Sequence, residues 1–87
     1  MKIKYSHDAL RFLKKQKKET VSRIRTAIEG LTEMPPHGDI KPMEGYKAGT
    51  LRLKVSGWRV IFRYENEMEI RVLLVINIGN RGDIYKK

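Results

Sequence analysis

The stretch Leu51 to Tyr64, LRLKVSGWRVIFRY, decides the fold. Leu51, Leu53 and Val55 alternate with Arg52 and Lys54. A period of two puts the apolar set on one face of a strand and the basic set on the other. Ser56-Gly57 is a turn signal, and a second strand then brings Arg59 and Arg63. The segment therefore predicts two paired strands, with cations on one face and a hydrophobic surface packed elsewhere.

Working outward, Lys2 to Tyr5 alternates in the same way and predicts a first strand. Ser6 is a candidate helix N-cap, and Asp8 sits in the first turn, where a carboxylate suits the helix dipole. His7 to about Lys17 is a candidate helix with Ala9, Leu10 and Leu13 on its apolar stripe. Thr20 to Thr32 is a second helix, because Val21, Ile24, Ala27, Ile28 and Leu31 recur at helical spacing. Met34-Pro35-Pro36 stops it. From there to Thr50 the residues favour a loop, with Met43 placed to tuck back toward the core.

On this reading the next strands are Thr50 to Val55 and Trp58 to Tyr64, followed by a polar turn at Glu65-Asn66-Glu67. Met68 to Ile76 or Ile78 is a further strand. Its apolar run Val72 to Ile76 suggests a central position covered on both faces. Gly79 to Gly82 is a turn, and Asp83 to Tyr85 a short last strand. The expected fold is one α+β domain over residues 1–87. An N-terminal strand and an antiparallel helical hairpin pack on one face of a mostly antiparallel four-stranded twisted sheet.

Charge narrows the function. Nineteen Lys and Arg against ten Asp and Glu give +9 in 87 residues. Such a field draws polyanions, with nucleic acid first among them and an anionic membrane or acidic protein behind. The cationic sheet face is then an RNA-facing site. The absence of cysteine removes disulfides and thiolate chemistry. The two histidines, His7 and His37, lack partners at ligand spacing, so no metal site is expected, and no phosphate-cradling glycine loop occurs. No signal peptide or membrane span is evident in the sequence, and a cytoplasmic location is expected.

The chemistry left is cationic and phenolic: Arg52, Lys54, Arg59, Arg63, Arg81 and Tyr85. Arginine forks hold phosphates and stabilise charge on a transferring phosphoryl group. A tyrosine stacks on a base or moves a proton. Cutting RNA at a 2′-hydroxyl also needs a base and an acid, which cations supply only where crowding lowers a pKa. The bland alternative is a set of ordinary solvated surface cations.

These residues carry a resemblance. The helical hairpin ending in Leu31…Pro35, then Met43-Glu44-Gly45, Leu51 to Phe62, and Ile78-Gly79-Asn80-Arg81…Tyr85 together resemble the RelE/ParE superfamily of type II toxin–antitoxin toxins, and its RelE-type mRNA interferases more than its ParE branch. Ser56 to Phe62 and the late Gly-Asn-Arg…Ile-Tyr segment are the specific parts. The resemblance implies a microbial-ribonuclease-like fold and ribosome-dependent cleavage of mRNA in the A site, inhibiting translation without a cofactor. It implies that Arg52 and Lys54 contact phosphate and help activate the 2′-hydroxyl. Arg59 would stabilise the transition state, Arg81 would act near the leaving group, and Tyr85 would stack on or orient a base. Arg63 is a further RNA-binding candidate. Implied partners are the ribosome, mRNA and a cognate antitoxin that wraps and neutralises the toxin, with operator DNA met only through that complex.

The chain departs from the family pattern at Thr50, where RelE-type enzymes often carry lysine, and no histidine lies near Arg81. The general base is therefore open. Two other functions fit the same residues: a ParE-like gyrase inhibitor, and a non-catalytic basic module that binds nucleic acid.

Overall fold

The structure is a computed structural model that describes residues 1–80. Its elements run β1 (Lys2–Tyr5), α1 (His7–Lys14), α2 (Lys18–Glu29), β2 (Asp39–Pro42), β3 (Leu51–Val55), β4 (Trp58–Glu67) and β5 (Ile70–Asn80), with a 3-10 turn at Gly30–Thr32. The strands form one five-stranded sheet in the order β1-β5-β4-β3-β2. β1 pairs parallel with β5, while the other neighbours are antiparallel. Parallel pairing needs a crossover rather than a hairpin, and the helices lie in that connection. The α+β architecture expected above is present, with a mixed sheet.

The helices start where the residues dictate. Ser6 Oγ accepts from the Ala9 backbone N–H at 3.0 Å, an N-cap bond. The same hydroxyl donates to the Ile76 carbonyl at 2.6 Å, tying the helix start to β5. α1 ends at Lys14, short of Lys17, because Lys17 is already extended and serves as N-cap of α2. On α2, Ile24 and Ile28 are fully buried, and Leu31 follows in the 3-10 turn. Each such burial contributes about 1.5–3 kcal/mol. They meet Leu53, Val55, Val60, Phe62, Leu73, Val75 and Ile78 in one core.

Boundaries in the sheet also differ from the sequence reading. The region after Pro36 is not all loop: Asp39–Pro42 forms the edge strand β2, which adds the fifth strand. Gly38 enters it at φ 129°, and a Cβ there would lie 2.5 Å from Leu53 Cδ1. Only glycine seats β2 this closely on β3. Glu65–Glu67 is strand rather than turn, since Glu67 pairs with Ile70 and the chain reverses at Met68-Glu69. Both turn residues have positive φ (48° and 69°), the twist a tight hairpin prefers, but without the Asn-Gly that signals it. Gly79 and Asn80 belong to β5, opposite Arg59 and Trp58. Arg81, the rest of the expected turn and the expected strand at 83–85 lie outside the described residues.

A register shift between Ile61 and Phe62 adds a residue to β5. Ile76 is passed over, and its carbonyl is the one that Ser6 satisfies. The bulge changes which residues of β5 face the helices, from Leu73 and Val75 before it to Ile78 after it. The apolar run Val72 to Ile76 has burial on both faces, with Leu73 and Val75 in the core and Val72 buried on the opposite face, and β5 lies inside the sheet.

Candidate functional site

On the sheet face away from the helices, register places side chains in rows. Asp39, Lys54, Arg59 and Gly79 lie opposite one another across β2 to β5, and so do Lys41, Arg52, Ile61 and Asn77. Directly opposed residues share a face. The alternation of LRLKV thus brings Arg52, Lys54 and Arg59 together, as the sequence predicts. β2 adds Lys41 and Asp39, which a loop reading hides; the signal was half-buried Ile40 between two charged neighbours.

The bland alternative of ordinary solvated surface cations holds for only part of this row. Lys54 is exposed, but Arg52 and Arg59 are buried, at 8% and 7% exposure. Ile61, opposite Arg52, is fully buried on this face too. Long arginine stems lie along apolar surface while their heads seek oxygen. Arg59 Nη1 donates to the carbonyls of Ser56 at 3.3 Å and Trp58 at 3.1 Å, clasping the turn between β3 and β4. Ser56 there has φ 54°. Among the described residues, the buried Arg59 Nε has no hydrogen-bond partner. A buried donor left unpaired costs about 1–3 kcal/mol.

Arg52 Nη1 lies 3.8 Å from Asp39 Oδ1. Arg63 is held more firmly. Its Nε donates to Glu65 Oε2 at 2.9 Å and its Nη1 to Thr50 Oγ1 at 3.3 Å. Thr50 is itself buried. The residue that departs from the family pattern therefore anchors an arginine. Arg63 is on the cationic face, with two of its three donor nitrogens committed to protein. Arg81 and Tyr85 lie outside the described residues. His7 and His37 are exposed, and His37 Nε2 sits 4.0 Å from Glu33 Oε1.

On the other side of the molecule, the helices form a groove of about 540 Å³ lined by His7, Leu10, Arg11, Leu13, Lys14, Val21 and Arg25. Its floor is apolar and its rim basic. Among the described residues no helix is long and apolar enough to cross a membrane.

Comparison with known proteins places this fold, with two helices on one face of a mixed sheet and cations on the other, in the RelE/ParE superfamily of toxins. The family model for the ParE toxin of type II toxin–antitoxin systems (parDE) matches residues 3–85, and the chain belongs to that family. Among solved structures, the YoeB/ParE toxin from Agrobacterium tumefaciens aligns with TM-score 0.75 at 20% identity, covering 93% of this chain and 99% of that one. The toxin of the RelBE2 toxin–antitoxin complex from Mycobacterium tuberculosis gives TM-score 0.70 at 19% identity, over 92% and 96%. The archaeal RelE–RelB complex from Pyrococcus horikoshii OT3 gives 0.69 at 21%, over 93% and 94%. At such identities these likenesses establish the fold. No curated protein matches the sequence.

Proposed function

We propose that this toxin is a ribosome-dependent endoribonuclease that cleaves mRNA in the A site and so halts translation. One observation carries the reading: Arg52, Lys54 and Arg59 converge on one sheet face, and among the described residues the buried Arg59 Nε has no partner. A donor held by the fold and left unpaired is suited to a phosphate oxygen, and above all to the extra charge of a phosphorane. Lys54, exposed beside it, meets the scissile phosphate. Arg52 steadies the neighbouring phosphate and favours ionisation of the 2′-hydroxyl. Arg81 and Tyr85 act at the leaving group and the base. Arg63, with two of its donor nitrogens held by Glu65 and Thr50, adds to the field of this face and is a further RNA contact. The protein works in the cytoplasm, where its substrate is.

The partner that restrains it is an antitoxin with an acidic, amphipathic segment. The groove between α1 and α2, with its apolar floor and basic rim, suits such a segment. Operator DNA is met through that complex.

A second reading is inhibition of DNA gyrase. It is favoured by the ParE description of the matching family and by the burial of Arg52 and Arg59, which leaves less cationic surface free. Purified protein added to a cell-free translation reaction separates the two. Ribonuclease action yields mRNA ends at fixed codon positions, and Arg59→Ala abolishes them. Intact mRNA together with blocked supercoiling by gyrase assigns the second.

A further inference from the structure

Arg52 and Arg63 share a face and each meets a carboxylate, but the two meetings differ. Glu65 is partly buried and accepts a hydrogen bond of 2.9 Å from Arg63. Asp39 is half exposed and stands 3.8 Å from Arg52, too far for one. Arg52 is nonetheless buried, and a buried guanidinium needs a compensating charge. Asp39 supplies charge without a bond. Its place is set by the backbone: Gly38, pressed on Leu53 at a φ only glycine adopts easily, starts β2 so that its first residue falls opposite Lys54.

We propose that Asp39 is an exchangeable counterion of Arg52, which an RNA phosphate displaces. A phosphate offers Arg52 two parallel charge-assisted bonds where Asp39 offers none. The half-exposed carboxylate then turns to solvent. Asp39 thereby sets a threshold for polyanion entry on this face. The inference rests on the reading of the face as an RNA site, and it deepens that reading by naming the group that opposes binding.

The test is a double-mutant cycle read by fluorescence anisotropy with a fluorescein-labelled oligouridylate. Asp39→Asn is expected to tighten binding about threefold, the range of a weak ion pair. The gain should vanish in the Arg52→Ala background. Asp39→Ser, a second neutral variant, should repeat it, and Asp39→Glu should bind as wild type. Thermal unfolding confirms that each variant folds. Equal tightening with and without Arg52 would mean a simple change of net charge and would overturn the proposal. So would no tightening, or no binding by any variant. Cleavage in translation is scored separately. Tightening without cleavage keeps the counterion and removes the ribonuclease reading; cleavage without tightening does the reverse.

Discussion

Tyr64 shows how much one side chain joins. Its hydroxyl donates to the Leu31 carbonyl at 2.6 Å, its ring meets Phe62 edge-on at 5.6 Å, and the Arg71 guanidinium lies 5.1 Å above it. The bond closes the end of the helical region onto β4. Tyr64→Phe removes it and should cost about 0.5–1.5 kcal/mol in denaturant unfolding. Burial raises the Tyr64 pKa above its ordinary value of 10.0, with Arg71 pulling the other way. A raised folded-state pKa means full stability below about 10 and a loss as pH climbs through the folded value. Unfolding midpoints should therefore fall above pH 10, and fall less steeply in Tyr64→Phe. Tyr5 is raised by burial as well, so the slope is not removed altogether. Lys54 is the opposite kind of residue. It is exposed, so Lys54→Ala should change stability by no more than about 0.5 kcal/mol. It should still abolish growth arrest, which a melting curve and a plating assay can report together.

At the scale of elements, β2 depends on a single glycine and α2 on its stripe. Gly38→Ala must hold φ 129° and push Leu53 aside, so a loss of about 1–3 kcal/mol is expected in denaturant unfolding. Ile24→Ala empties a fully buried position facing the sheet and should cost about 2–5 kcal/mol. These two sites also mark what the sequence made legible. α2 was readable because Ile24, Ile28 and Leu31 repeat at the helical period, and β3 because LRLKV alternates. β2 was hidden between prolines and glycines, with Ile40 as its one half-buried residue. The β4–β5 reversal was legible as a turn but placed too early, at Glu65 to Glu67, because Met68-Glu69 adopts positive φ without glycine or asparagine. The bulge at Ile76 left no mark beyond an apolar run that a two-sided strand explains equally well.

Across the whole molecule the charge of +9 is distributed with purpose. One cationic group gathers on the sheet face, and another rims the groove between the helices. Alternation and register were enough to bring Arg52, Lys54 and Arg59 together. Their burial was not legible, because it depends on carbonyls at the Ser56 turn and on a carboxylate from β2. On the proposed ribonuclease reading, the long-range field would concentrate RNA and the held guanidiniums would meet the phosphate.

The most direct measurement is sequencing of mRNA 5′ ends in cells shortly after expression of the wild-type protein or Lys54→Ala. New ends in phase with codons, present for wild type and absent for Lys54→Ala, are the predicted result. Growth arrest by the wild type with mRNA ends unchanged would contradict the account.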